Sequence, residues 1–256
     1  MTVNITTDLV DLTLDVTLML GPETLHLALI FDPLHGPVLV DTGTPGQLTA
    51  ITQALSDVNV NISDLRTILI THHDNDHIGA LPAVVKASGA AVWAAPQEVA
   101  FIQDGVRGHK LPPLDRVDMA LQNMPEPMRP AMRAMFTYVQ PPIPVARQLQ
   151  DDEVLDIAGG VRVIYTPGHT VGHTSFFLER SRILISGDAL MADKGRLLGP
   201  WDRATPDMKS ATESVGRLAT LEPAAILCYH GGLVSEDVGG QLRRVAQDLA
   251  NQYLSV

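Results

Sequence analysis

The sequence predicts an α/β protein in which two β-sheets pack face to face with helices on the outside. Three observations predict it. Strand-like runs open both halves of the chain, and in each half they give way to strand–helix alternation. The residues able to do chemistry also recur just after predicted strands.

In the first half, Leu12, Leu14, Val16 and Leu18 alternate with polar or small residues, the period of a half-buried strand. Leu25 to Phe31 reads as a second strand. The turn residues Asp32-Pro33-Leu34-His35-Gly36-Pro37 separate it from a third, Val38 to Asp41. Pro45 to Leu55 carries Leu48, Ile51 and Leu55 at helical spacing. Leu65 to Ile70 is a buried strand that ends in a His/Asp turn. A helix-like run from Ile78 to Val85 is closed by Ser88-Gly89, and Ala90 to Ala94 is the next strand. In the second half, Val161–Tyr165, Thr174–Leu178 and Ile183–Ser186 read as strands. A helix follows from about Pro206 to Leu221, then a strand Ala225–Cys228 and a last helix from about Val234 to Tyr253.

Residues 104–147 differ, being rich in Pro and Met with little strand signal. Met119, Gln122, Met124, Met128, Met132 and Met135 fall near helical spacing around the prolines. Two readings stay open: a helical hairpin covering the edge of the core, or a lid whose Met side chains adapt to an apolar ligand. The chain is read as one domain, residues 1–256, with this segment inserted in it.

Composition limits the possible partners. The 256 residues are 45% hydrophobic but only 4% aromatic, so Val, Leu, Ile and Ala must fill a large aliphatic core. The formal net charge is −11 and Arg243-Arg244 is the one basic doublet, which argues against a nucleic-acid surface. There is no apolar run long enough to span a bilayer, so no membrane partner is expected. The stretch Met1-Thr2-Val3-Asn4-Ile5 lacks the positive flank and apolar heart of a secretion signal, and the single Cys, Cys228, excludes an internal disulfide. A cytoplasmic location is the expectation, and a homodimer is compatible with it.

The most informative stretch is His72-His73-Asp74-Asn75-Asp76-His77. Imidazoles and carboxylates converging at a strand end can hold a pair of divalent metals, which turn water into a nucleophile at neutral pH. Three further candidates each follow a predicted strand: His169 in Thr-Pro-Gly-His-Thr, Asp188 in Ser-Gly-Asp-Ala and His230 in Tyr-His-Gly-Gly. Neither a Gly-x-Ser-x-Gly elbow nor a Walker-type phosphate loop is present, which disfavours a serine hydrolase or a nucleotide-driven enzyme.

With these motifs the whole chain resembles the metallo-β-lactamase superfamily of metallohydrolases. The matching residues are Val40-Asp41-Thr42-Gly43, Thr71 to His77 with Gly79 behind, Thr166 to His173, Ser186-Gly187-Asp188, and His230-Gly231. The resemblance implies an αβ/βα four-layer sandwich with a two-metal site between the sheets. It implies that His72, Asp74 and His169 hold one metal, that Asp76, His77 and His230 hold the other, and that Asp188 bridges them. Zinc is the family default. It also implies that Asp41 accepts a hydrogen bond from a ligand His and fixes its tautomer; the competing reading is a cap before Pro45. His173 is read as an outer-layer structural His, since the ligand set is complete without it.

One departure stands out. The family usually has His where this chain has Asp74, in a His-x-His-x-Asp-His pattern. His73 cannot replace it, because a shift of one residue points the side chain elsewhere. A carboxylate at position 74 favours Mn²⁺ or Fe²⁺ relative to Zn²⁺. His26, His35 and His109 are read as local hydrogen-bonding residues, and Cys228 as an inert small hydrophobe.

The expected function is hydrolysis of an ester-type bond (a lactone, thioester or related ester) by a metal-bridging hydroxide, with Asp76 as the catalytic carboxylate that handles the proton. The expected substrate is a small, neutral molecule with an apolar part. A diiron oxygen-handling oxidoreductase of the same fold and a non-catalytic binding protein with a degenerate site remain the alternatives.

Overall fold

A computed structural model describes residues 2–18 and 21–254; of the N-terminal stretch read above, Met1 lies outside them. Among the described residues the first sheet has seven strands, in the order β1 (Val3–Asn4), β2 (Leu9–Leu18), β3 (Gly21–Ile30), β4 (Val38–Val40), β5 (Thr67–Leu69), β6 (Ala91–Ala94) and β7 (Val145–Gln148). Strands β1 to β4 are antiparallel neighbours, and β4 to β7 run parallel. The second half of the chain repeats the plan. Strands β8 (Val154–Leu155), β9 (Val161–Tyr165), β10 (Thr174–Leu178) and β11 (Ile183–Gly187) are antiparallel neighbours. A small hairpin follows, β12 (Met191–Asp193) and β13 (Arg196–Leu198). Strand β14 (Ala225–Cys228) then pairs parallel to β11, and β15 (Gly232–Val234) forms the edge.

The helices are α1 (Leu48–Ser56), α2 (Asn75–Ile78), α3 (Leu81–Ser88), α4 (Val99–Gln103), α5 (Val117–Leu121), α6 (Arg129–Thr137), α7 (Met208–Ala219) and α8 (Val238–Tyr253). Strand alternation sorts the apolar side chains into layers. Leu29, Leu39 and Ile68 face α1 and α3, among Ile51, Leu55, Leu81 and Val84. Ala28, Ile30, Val38, Val40 and Leu69 face the other way and meet Val161, Val163, Phe176, Leu178, Ile183, Ile185 and Leu227 of the second sheet. On the far side, Ile164, Phe177, Leu184 and Ile226 pack with Val215 and Leu218 of α7 and Leu242 and Leu249 of α8. Helix, sheet, sheet, helix is the four-layer order expected.

Two local expectations are corrected. The run from Ile78 to Val85 is two helices, since Pro82 lacks the N–H that would bond back to Ile78, and it sits instead in the first turn of α3. Gly89, at φ 71°, closes α3 as expected. Val234 belongs to β15, and the last helix begins only at Val238; a strand of three residues is too short to carry a period. The hairpin of β12 and β13 is missed for the same reason.

The segment 104–147 is helical and has a small core of its own, Val117, Leu121, Met132 and Phe136, with Met124, Met128 and Met135 packed against it. Most of its methionines therefore serve packing inside the segment, while Met119 is exposed. Arg107 ties the segment together by donating to the carbonyls of Phe136 (2.7 Å) and Pro112 (3.0 Å). The Tyr138 hydroxyl donates to the Gly79 carbonyl at 3.2 Å and fastens the segment beside α2. No described helix is long and apolar enough to cross a membrane.

Asp32 joins the β3–β4 turn to the second half. Its carboxylate accepts the backbone N–H groups of Leu34 (2.7 Å), His35 (2.5 Å) and Ala158 (2.6 Å). Burial opposes its charge, but the N–H groups of Ala158, His35 and Leu34 prevail and hold the carboxyl below the usual carboxylate range. A group with a depressed folded pKa stabilises fully above its unfolded value of about 3.9, and that contribution is lost as the pH falls through the folded pKa. Asp32→Asn should lower unfolding stability at pH 7 by about 1–3 kcal/mol. In urea titrations at stepped pH it should also flatten the decline between about pH 5 and pH 2 relative to wild type.

Candidate metal centre

Parallel strands bring their carboxyl ends to one edge, and this is what gathers the candidate residues. Asp41 follows β4 and His72 follows β5, its parallel neighbour; Asp188 follows β11 and His230 follows β14, also parallel neighbours. The first turn of α2 is set by the Asp74 carbonyl, which accepts from the N–H groups of His77 (2.8 Å) and Ile78 (3.0 Å). The His77 carbonyl is held in turn by the Thr42 N–H (2.7 Å) and hydroxyl (3.0 Å). Gly79 lies so close to Pro45 that a Cβ would run into it, so only glycine lets this turn seat against the loop after β4. Gly168, at φ +136°, lies against the backbone of Ala211 in α7, and so brings His169 in from the other side.

All seven candidate ligands converge. His169 Nε2 is 3.0 Å from Asp74 Oδ2 and 3.2 Å from Asp188 Oδ2. His72 Nε2 is 3.5 Å from Asp74 Oδ2. His77 Nε2 is 3.2 Å from Asp188 Oδ1, and His230 Nε2 is 3.4 Å from Asp76 Oδ2 and 3.6 Å from Asp188 Oδ2. Three trios have donor atoms within 4.8 Å of one another: His72, Asp74 and His169; His72, His77 and Asp188; Asp76, His77 and His230. Asp188 stands between the two outer trios, and Asp74 points into the cluster.

The buried atoms His72 Nε2, His77 Nε2 and Asp188 Oδ1 make no hydrogen bond to any described residue. Each would cost about 1–3 kcal/mol if left so, and they face one another. Divalent cations on either side of Asp188 would satisfy all three, and imidazole with carboxylate is a fitting donor set for them.

Groups behind the ligands fix how they point. Asp41 accepts from His77 Nδ1 (2.8 Å), from the Thr71 N–H (2.9 Å) and from the Thr71 hydroxyl (2.7 Å). Having donated to Asp41, the Thr71 hydroxyl accepts from His72 Nδ1 at 2.9 Å. Both rings therefore present Nε2 to the cluster. His173 accepts the Asp188 backbone N–H on Nε2 at 2.9 Å and gives its Nδ1 hydrogen to the Thr166 hydroxyl at 2.8 Å. Burial drives its pKa down to about 3, so the ring stays neutral and able to accept. It aims Asp188 through the main chain and is not in the cluster.

Three residues in or behind the site were not found from sequence. Glu23 accepts from His230 Nδ1 at 2.5 Å. It arrives because His230 bridges to Leu25 and the His26 N–H bonds the Tyr229 carbonyl, which joins the two sheets at this point. Glu98 is fully buried. It bonds His73 Nδ1 and accepts from the Thr170 hydroxyl (2.8 Å) and the Gly172 N–H (2.9 Å), so it clamps the two ligand-bearing loops together. His73 thus points away from the cluster, stacked on Phe101 with ring centres 3.7 Å apart. Lys110, from the 104–147 segment, places Nζ 2.5 Å from Asp74 Oδ2 and 2.6 Å from His169 Nε2. Elsewhere, His26 bonds Asp11, His35 bonds Asp32, and His109 meets the ring of Phe101 edge-on. Cys228 is buried, and burial pushes its thiol up to about 12.

Burial disfavours a charged His77, yet Asp188, Asp41 and Asp76 outweigh it and raise the ring to about 10. The same carboxylate-rich surroundings raise His230 well above its usual value, again against burial. The positive charge on the rings beside Asp188, chiefly His230 and then His77, holds it well below the carboxylate range despite burial.

A two-sheet sandwich with helices outside and a His/Asp cluster at its rim defines a class, the metal-dependent hydrolases of the αβ/βα fold. The metallo-beta-lactamase superfamily model matches residues 28–230. The probable metallo-hydrolase YflN of Bacillus subtilis (strain 168) is 31% identical over 236 residues, covering 87% of this chain and 84% of that one. A hydroxyacylglutathione hydrolase of Fuscovulum blasticum is 33% identical over 165 residues, 64% of this chain; the match spans only about half of that relative, 47%. Among solved structures, a metallo-beta-lactamase family protein from Thermus thermophilus superposes with a TM-score of 0.72 at 27% identity, over 98% of this chain and 81% of that one. The chain belongs to the metallo-beta-lactamase superfamily.

Two outcomes follow from this geometry. Glu98→Ala strands His73, Thr170 and Gly172 in the interior and should cost about 3–5 kcal/mol in urea unfolding; Glu98→Gln, which keeps an acceptor for Thr170 and Gly172, should cost less. A cation must take the Nε2 lone pair of His77, which is protonated below about pH 10 in the uncomplexed cluster. Zinc uptake at pH 7 should therefore release protons and strengthen as pH rises, seen as a binding heat that varies with buffer ionisation enthalpy. A heat independent of buffer would contradict this account of the cluster.

Proposed function

We propose that this chain is a binuclear hydrolase of ester-type bonds. In this reading His72, Asp74 and His169 hold one divalent cation, Asp76, His77 and His230 hold the other, and Asp188 lies between. The observation that carries it is the trio of buried, unpartnered atoms on His72, His77 and Asp188, set among four further donors. A metal pair bound there lowers the pKa of water toward neutrality and polarises the oxygen of a carbonyl. Zinc is the family's ordinary metal, and the Asp74 carboxylate favours Mn²⁺ or Fe²⁺ more than an imidazole would.

The protein's own part is to orient and to move a proton. The Asp76 carboxylate accepts the proton of the attacking water and hands it to the leaving oxygen or sulfur. Its main chain is held for this by the Tyr229 hydroxyl, which donates to the Asp76 carbonyl. The relatives named as hydroxyacylglutathione hydrolases support a thioester or a related ester as the bond cleaved. Exposed apolar residues support a substrate with an apolar part: Val106 and Leu114 flank Lys110 in sequence, Met119 lies on α5, and Val171 comes just after His169. A lactone or a neutral acyl thioester meets both conditions.

The test is an assay of zinc- and manganese-loaded protein against lactone, acyl-thioester, β-lactam and phosphodiester panels. Turnover of an ester or thioester is expected, and activity confined to phosphodiesters would overturn the reading. Asp188→Ala should lower kcat by about a thousandfold or more, and bound metal measured by elemental analysis should fall with it. Asp74→His should shift affinity toward zinc relative to manganese; an unchanged preference would remove Asp74 from the ligand set.

A further inference from the structure

We propose that Lys110 is a tethered cation seated in the first metal position, and that a metal bound there displaces it. The inference rests on the two-metal reading above. Lys110 Nζ lies 2.5 Å from Asp74 Oδ2 and 2.6 Å from His169 Nε2, two of the three atoms that form the outer trio with His72. An ammonium has donors only, so His169 must accept with Nε2. The 3.0 Å contact between His169 Nε2 and Asp74 is then a close approach of two acceptors, bridged by the lysine. The lone pair that Lys110 uses on His169 is the single one that ring nitrogen offers a metal. Lysine and metal cannot hold it together.

The seat is built, and it is asymmetric. The Lys110 side chain is 20% exposed and the Asp74 side chain 21%, so the pair is largely withdrawn from solvent, where an ammonium needs a carboxylate beside it. The other outer trio, Asp76, His77 and His230, has no bond to Lys110 or to any other Lys or Arg among the described residues. Lys110 also belongs to a stretch without regular helix between α4 and α5, in the segment that carries its own small core. That stretch can shift while the sandwich stays folded. The two metal positions are thus unequal by construction: one is open, and the other must expel a lysine when it fills. Filling it frees the loop around Lys110.

Zinc titration of metal-free full-length protein, with a competing chelator, tests this. Wild type should bind one zinc tightly and a second at least tenfold more weakly. In Lys110→Met the second affinity should rise about tenfold or more with the first unchanged, while Lys110→Arg, which keeps the cation, should leave the second weak. A readout independent of affinity is limited trypsin digestion of wild type. Cutting after Lys110, as a share of all tryptic cuts, should rise as the second zinc binds. Two zincs of unchanged affinity in Lys110→Met, or a cut at Lys110 that zinc leaves constant or suppresses, would overturn the proposal and leave the two-metal reading standing. Failure of both proteins to bind any zinc would overturn both.

Discussion

Lone pairs that face one another repel, and this molecule aims four imidazoles and three carboxylates at one small volume between its sheets. Only positive charge makes such an arrangement an energy minimum. The rest of the structure can be understood as what holds these groups in place against that repulsion. Asp41 and Thr71 lock the tautomers of His72 and His77, Glu23 backs His230, and His173 steers Asp188 through its main chain. One of these supports, Glu23, comes from the opposite half of the chain to the ligand it holds.

The doubled plan of the fold makes that exchange possible. Each half sets antiparallel strands beside parallel ones, β4 to β7 in the first sheet and β11 with β14 in the second, and these deliver residues at their carboxyl ends. Packing the two sheets through Phe176, Ile30, Val40 and their neighbours brings those ends together. The aliphatic interface therefore sets the spacing of the polar centre. The Leu25–His230 bridge and the Glu98 clamp are the finer adjustments.

The ligands and the order of layers were legible in the sequence because both rest on short-range patterns. Alternation at Leu25–Phe31 or Val161–Tyr165 marks strands, and His/Asp residues after strands stand out against a background of aliphatics. What could not be read depends on contacts between residues far apart in the chain. Glu23 opens a strand and looks like any solvated Glu until the end of β14 folds beside it. Glu98 lies in an ordinary Pro-Gln-Glu turn, and its burial follows only from the approach of residues 170–172, more than seventy positions away. Lys110 has no periodic neighbours, so nothing local separates it from a surface lysine. The reverse also occurred: the methionines of 104–147 did show helical spacing, but spacing does not say which way a helix faces, and most of them pack inward.

The private core of that segment, Val117, Leu121, Met132 and Phe136, carries a consequence for how the protein can diversify. A module that folds around its own apolar nucleus behaves as an exchangeable cassette. Its outward side chains are free to drift without retuning the sandwich beneath, whereas Lys110 and Tyr138 tie its inner face to the ligand cluster and to α2. Selection can then vary the outer face of the segment while its core keeps Lys110 beside the ligands, which separates change at the surface from change at the centre.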